Sequence, residues 1–321
     1  MLLLIACGCV LLAAGASQAI AQAFPTKPVR IVAPFAAGGG GDLNARRLAD
    51  RLARAWGQPV VVQNVTGAAG NTAAALVAGA MPDGYTLLFA SHPILAANSW
   101  LYGKLPFDAA RDFAAVVYVS ETPHVFLVNP SVPAASVSEL VALAKNRPGN
   151  LNFGSGGPGT STHLAAELLM STAGIALTHV PYKGAAPAVA ALMGGEVQVL
   201  FDSSTTAIGH VRGGRVRGLA VASSGRLVAL PELPTFAESG LAGFTAGVSH
   251  GIVAPARTPA TTLRTLNRDI NRALQDDEYR KYMVAAGVNV VGGLPEDFRA
   301  FLAAERKNLG EVIRRRGIKA N

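Results

Sequence analysis

Two glycine-rich turns, each between a short β-like run and an amphipathic stretch, carry the residues best placed to do chemistry. The first follows the run from Val29 and reads Phe35, Ala36, Ala37, Gly38, Gly39, Gly40, Gly41, Asp42. The second follows Leu151, Asn152 and Phe153 and reads Gly154, Ser155, Gly156, Gly157, Pro158, Gly159, Thr160, Ser161, Thr162. A strand–glycine loop–helix unit aims free backbone N–H groups and the positive end of a helix dipole at one point. Glycine lets that backbone approach an oxyanion with no Cβ in the way. One hydroxyl among Thr160, Ser161 and Thr162 serves as a helix cap, which leaves the others for a carboxylate. Two such units, far apart in the chain, point to two lobes closing on one anionic ligand.

Sharper motifs fail on spacing. The dinucleotide pattern G-x-G-x-x-G/A is broken, because Gly38-x-Gly40 is followed by Leu43 and Gly39-x-Gly41 by Asn44. The strand at 60–62 ends in Gln63 and Asn64, where an acid should grip a ribose. Gly154 and Gly159 have P-loop spacing, yet Thr160 stands where the phosphate-neutralising lysine belongs. Ser155 is not a nucleophile elbow, since Phe153 replaces its first glycine. The six histidines (92, 124, 163, 179, 210, 250) show no close metal-ligand spacing, so neither metal nor cofactor is expected. His163, in a helix's first turn, is expected to bond to the loop or cap. Asp42 is expected chiefly to accept N–H bonds at its helix start, with direct ligand contact as the second reading. Asp202, directly after a strand, is placed to face the cleft or to cap the next helix.

Composition narrows the class. Residues 1–21 carry no charge, are rich in Leu and Ala, and end in the small-x-small pattern Ala19-Ile20-Ala21, as a cleaved secretory leader does. A membrane anchor is the competing reading. Leu4 to Cys7 resembles a lipoprotein box but precedes the end of the apolar run. Both cysteines, Cys7 and Cys9, fall in this leader, so the mature chain has no thiol for a disulfide or a nucleophile. The formal charge of +8 is densest at Arg314, Arg315 and Arg316, and only 6% of residues are aromatic. Nucleic acid is therefore not an expected partner; a solvated basic face that attracts anions is.

The elements that must position the two turns alternate throughout, as in α/β layers. Strands are expected at 31–35, 60–63, 85–90, 125–129, 151–153, 177–180, 197–201 and 216–222, with a shorter, weaker one at 252–253. Helices are expected from about 42, after Gly67-Ala68-Ala69-Gly70, and at 164–171, 186–193, 261–274 and 297–316. The division that follows is one lobe of 22–123 plus 247–321 and a second of 124–246, with crossings near His124 and Val248. Ligand sits where strand carboxyl ends and helix amino ends converge.

Taken together, these residues resemble the Bug-type extracytoplasmic receptors of tripartite tricarboxylate transporters over essentially the whole mature chain. The resemblance rests on Pro28 to Val32 through Gly38–Asp42, on Asn64, Gly67 and Gly70, and on Pro82-Asp83-Gly84-Tyr85-Thr86. In the second half it rests on Asn152 to Ser155, Gly159-Thr160, Thr162-His163, Val180 to Gly184 and Leu233-Pro234-Thr235. It implies a two-lobed periplasmic binding protein of the type II, Venus-flytrap kind, monomeric and without catalytic activity. Its implied ligands are small carboxylates: dicarboxylates, citrate-like acids, acidic amino acids or aromatic acids. Its implied partner is a membrane permease of the tripartite tricarboxylate type. Carried over by position, ligand contacts come from Phe35, Ala37, Gly38, Gly39, Gly40 and Asp42 in one lobe. Ser155, Gly156, Gly159, Thr160, Thr162 and Asp202 supply those of the other. This chain departs from the family pattern at Gln63-Asn64-Val65-Thr66, at Asn44, at Ser91-His92-Pro93 and at His250. Ser91, His92 and His250 thereby become candidates for the variable half of the pocket. An orphan sensor with the same pocket, and a periplasmic enzyme using His163, Asp42 and Asp202, are the alternatives.

Overall fold

The structure, a computed structural model, describes residues 24–319. The leader expected at 1–21, with both cysteines, lies outside the described residues. The chain begins with β1 (Val29–Ala33), α1 (Gly40–Trp56), β2 (Val60–Asn64), α2 (Asn71–Ala78) and β3 (Thr86–Ser91). Two short helices, α3 (His92–Ala96) and α4 (Asn98–Leu101), lead to the long β4 (Phe113–Val128). The second half continues with α5 (Val137–Asn146), β5 (Asn152–Ser155), α6 (Ser161–Ala173), β6 (Thr178–Pro181) and α7 (Ala185–Gly194). Then come β7 (Val199–Ser203), α8 (Ser204–Arg212) and β8 (Arg217–Val221). The chain returns through β9 (Gly247–Pro255), α9 (Ala260–Leu274), α10 (Asp277–Ala285), β10 (Asn289–Val290) and α11 (Pro295–Arg316).

The strands form a mixed α/β architecture in two lobes that share one strand. In the first, β2, β1 and β3 run parallel and β9 and β4 follow antiparallel. In the second, β6, β5 and β7 are parallel, and β7 and β8 both pair antiparallel with β4. Pairing of β4 with β9 runs from Phe113 opposite Pro255 to Pro123 opposite Gly247. From His124 onward the same strand pairs with β7 and β8. The exit and return of the chain are tied together: His124 N donates to Ala246 O at 3.0 Å, and Ala246 N to Ala222 O at 3.0 Å.

Alternation along β4 shows why both faces of each sheet are covered. Phe126 and Val128 enter one core of the second lobe while Val125 and Leu127 enter another. Successive strand side chains point to opposite faces, and a sheet buried on both faces reads as a continuous apolar run. In the first lobe, α1 places Ala45, Leu48, Ala49 and Leu52 on one buried stripe and ends at Gly57 in the left-handed region. Each fully buried Leu or Phe of these cores contributes about 1.5–3 kcal/mol.

The structure extends two of the expected elements. β4 begins at Phe113, not near 125, and the weak strand at 252–253 is the nine-residue β9. Both run through the middle of the molecule with partners on each side, so pairing overrides the low strand propensity of Gly247, Ser249 and Gly251. Helices α3, α4, α5, α8 and α10 add to those expected.

Candidate functional site

The first glycine loop is held from behind. Asp42 is almost fully buried and its Oδ2 accepts from Gly38 N at 2.9 Å and Arg46 Nε at 3.0 Å. Its Oδ1 accepts from Asn64 Nδ2 at 2.7 Å, and the same amide reaches Phe35 O at 3.0 Å. Burial alone would raise this carboxyl, but the bonds from Arg46, Asn64 and Gly38 outweigh it and hold the pKa below the ordinary value. The local reading of Asp42 is the one this geometry supports.

The second loop is braced from beneath by its own side chains. Thr162 Oγ1 accepts from Gly156 N at 3.0 Å, and Ser155 Oγ accepts from Gly157 N at 3.1 Å. His163 Nδ1 accepts from Gly159 N at 3.1 Å, the loop bond expected of it. That leaves the His163 proton on Nε2, which stands 3.6 Å from Glu167 Oε1. Ser155 Oγ and His179 Nε2 lie 2.6 Å apart, and the His163 and His179 rings stack at 4.3 Å. Burial, with His163 alongside, lowers the His179 pKa to about 4, so this ring is neutral at physiological pH. Thr160 Oγ1 donates to Gly157 O at 2.7 Å. Neither Gly39 before α1 nor Thr160 before α6 makes a side-chain cap bond, so no capping side chain covers either helix start.

Both helix starts open on one cavity of about 590 Å³ between the lobes. The lobes approach so closely that a Cβ on Gly40 would stand 2.5 Å from Ser203 Oγ, and one on Gly184 2.8 Å from Ala36 Cβ. Of the expected site residues, Phe35, Gly39, Gly40, Ser91, Gly156, Thr160, Thr162 and Asp202 line this cavity. Six others do not, and each has a physical reason. Asp42 and Gly38 are bonded to each other behind the first loop, with Ala37 next to them. Ser155 is fully buried against His179, and Gly159 gives its N–H to His163. His92 is corrected to the opposite side of the sheet: its Nδ1 accepts from Ser249 N at 3.1 Å and its Nε2 lies 3.6 Å from Glu305. There, with Glu121 and Ser249, it lines a second interlobe cavity of about 720 Å³.

At the floor of the first cavity the expected Asp202 and His250 are joined by His124 and Ser203, which the sequence reading did not place in the site. His124 ends the crossing on β4, Asp202 and Ser203 end β7, and His250 sits on β9 opposite Ser91 and Ser120. All four are buried, and both His124 ring nitrogens, Asp202 Oδ1, Ser203 Oγ and His250 Nδ1 have no partner in hydrogen-bonding geometry. Burial raises the Asp202 carboxyl to about 6, opposed in part by Thr206 Oγ1 donating to its Oδ2 at 2.6 Å and by the Ser203 backbone. Burial and neighbouring histidines lower His124 and His250 to about 3 each. His250 is also packed on Phe89 and edge-on to Phe35, at 5.1 and 5.4 Å between ring centres. A third loop contributes Ala68 and Ala69, both at positive φ (46° and 50°), a conformation that disfavours an L side chain. Asn98 Nδ2 donates to Ala69 O at 3.3 Å and holds that loop in place. Tyr102 and Lys183 complete the polar wall, Lys183 exposed at the rim.

Comparison with known proteins places this geometry. A family model described as "Tripartite tricarboxylate transporter family receptor" matches residues 44–318. Protein BugT of Bordetella pertussis is 36% identical over 305 residues, covering 95% of this chain and 94% of BugT. A solved R. palustris protein with adipate superposes with a TM-score of 0.89 at 34% identity, over 92% of this chain and 99% of that one. MatC from Rhodopseudomonas palustris with bound malate gives 0.85 at 32% identity, over 90% of this chain and all of MatC. Among the described residues no helix is long and apolar enough to cross a membrane.

Proposed function

The chain belongs to the tripartite tricarboxylate transporter receptor family, and from that premise we propose that it captures a small organic carboxylate between its two glycine loops. The carboxylate bridges the uncapped starts of α1 and α6, where first-turn N–H groups and two helix dipoles converge beside Thr160 and Thr162, whose hydroxyls brace the second loop. The single observation that carries this reading is that these two helix starts, from different lobes, open on one cavity. Ligand contacts both loops only when the lobes are closed, so its differential affinity draws the open–closed equilibrium towards closure. Residues 22–123 with 247–321, and residues 124–246, are the two bodies that move, hinged where β4 and β9 cross between them. The leader directs the chain to the periplasm and is cleaved after about Ala21. There the closed monomer delivers its cargo to a membrane permease of the tripartite tricarboxylate type.

The relatives solved with adipate and malate support the carboxylate assignment for this chain. The test is native mass spectrometry of freshly purified protein, compared before and after denaturation, followed by a thermal-shift screen of organic acids. A released acid, or a rise in melting temperature with a carboxylate, is the expected outcome. A panel of mono-, di- and tricarboxylates that leaves the melting temperature unmoved would overturn the reading.

A further inference from the structure

The second interlobe cavity, of about 720 Å³, lies across β4 and β9 from the first, and carboxylate capture makes no use of it. Its apolar walls come from both lobes: Leu164, Leu168 and Leu227 from one, Val288, Phe301 and Ile313 from the other. Val228 and Val284, again one from each lobe, are exposed at its rim. Among the described residues, the charged or titratable groups of this lining are Glu121, Glu305, Arg226 and His92. Arg226 is taken up by Glu238, with Nε 3.0 Å from Oε2, and by Pro231 O at 2.8 Å. Neither lining carboxyl is matched by a cation. Among the described residues Glu121 takes part in no ion pair, and Glu305 faces only His92, which burial lowers to about 4 and so keeps neutral.

A chain of short distances brings these groups together. Tyr118 Oη donates to Glu121 Oε1 at 2.8 Å and lies 2.8 Å from Ser249 Oγ, and Ser249 N donates to His92 Nδ1 at 3.1 Å. The His92 side chain is only 10% exposed. Because Nδ1 accepts, the ring proton is on Nε2. That nitrogen stands 3.6 Å from Glu305 Oε2, beyond hydrogen-bond reach. Burial raises the Glu305 carboxyl and the nearby Glu121 charge adds to this, against a bond from Asn308.

Two carboxyls without a cation, beside an unbonded N–H and apolar walls, define what can bind. An ammonium group supplies the missing charge, and its N–H bonds suit acceptors on two carboxylates. An N–H donor and a carboxylate oxygen 3.6 Å apart are bridged by a hydroxyl, which accepts from one and donates to the other. The leucines of one lobe and Phe301 of the other cover an apolar body. An anion would stand against both acids, and a plain hydrocarbon would leave the polar groups unpaired.

We propose that this hinge-side cavity is a second binding site, for a small amino alcohol with an apolar body. The ammonium lies between Glu121 and Glu305, the hydroxyl between His92 Nε2 and Glu305, and the body against the apolar walls. The site is separate from the carboxylate cavity and does not depend on the receptor reading.

The test is calorimetric titration of the mature protein with three matched probes: 2-amino-1-phenylethanol, 2-phenylethylamine and 1-phenylethanol. The amino alcohol is expected to bind most tightly, the amine a few-fold less, and the alcohol at least about tenfold less than the amino alcohol. Glu305→Gln brings the amino alcohol to within a few-fold of the alcohol. Glu121→Gln, at an exposed position, weakens both amines by at least about threefold and stands in for Glu305→Gln should the latter not fold. Equal binding of the alcohol and the amino alcohol, or of the amine and the amino alcohol, would overturn the proposal. So would an affinity that survives both substitutions, which would place the probe elsewhere, or no binding by any of the three.

Discussion

Asp42 and Asp202 are the same side chain, each close to a loop at the cleft, and the fold uses them in opposite ways. Asp42 collects three hydrogen bonds and is kept ionised; Asp202 collects one on Oδ2, keeps Oδ1 bare and is pushed up to about 6. Sequence position told these two apart only partly. The local role of Asp42 follows from its place in a helix's first turn. His124 and Ser203 carried no signal, because a strand end that points into a cavity looks like any other strand end. A stability experiment distinguishes the two acids. A carboxyl raised in the folded state favours folding most below its unfolded pKa, and that contribution disappears as pH rises through the folded value. Ligand-free Asp202→Asn is therefore expected to be more stable than the parent at pH 7, by up to about 3 kcal/mol. The difference should vanish near pH 4, as read by urea unfolding at both pH values.

At the scale of elements, the strands that were hardest to recognise are the ones that make the site. β4 and β9 lose their apolar rhythm at Glu121, Thr122, Ser249 and His250, where they pass between two cavities and their side chains line them. The strands sealed inside a core, such as β1 and β7, kept that rhythm and were legible. Approach of α1 to the end of β7 gives one prediction. Gly40→Ala puts a methyl group 2.5 Å from Ser203 Oγ, so the lobes are expected to stand further apart. Carboxylate affinity should drop by at least about tenfold, with a larger radius of gyration by small-angle scattering and a normal melting temperature. The second loop gives another. Thr160→Val with Thr162→Val removes the bonds to Gly157 O and Gly156 N, each worth about 1 kcal/mol. Calorimetry should show carboxylate affinity falling by at least about tenfold, because the loop that presents the N–H groups loses its bracing; undiminished binding would displace the second half of the anion site from this loop.

Among the described residues three histidines are buried in the neutral state, His92 lowered to about 4 and His124 and His250 to about 3, and the half-buried His179 is lowered to about 4. A depressed histidine contributes stability that is present above its unfolded pKa near 6.5 and lost as pH falls towards the folded value. Asp202 acts in the opposite sense and offsets one of the four protons. Net uptake of about three protons on unfolding corresponds to a loss of roughly 4 kcal/mol per pH unit below pH 6.5. Circular-dichroism melts at pH 7.5, 6.5, 5.5 and 4.5 should show a steep fall in melting temperature across that range. A flat profile would mean that these rings are protonated in the folded chain.

Pro123 and Gly247 face each other as the last paired residues of β4 and β9, and His124 N reaches across to Ala246 O. Two antiparallel strands ending side by side are what a tight turn normally joins. In this chain the connection is residues 124–246. In terms of connectivity, β4 and β9 are the two arms of a β-hairpin whose turn is replaced by the β5–β8 half of the chain. Replacing 124–246 by a two-residue Asn-Gly link would restore the hairpin and leave the remaining lobe with its β2-β1-β3-β9-β4 strand order unbroken.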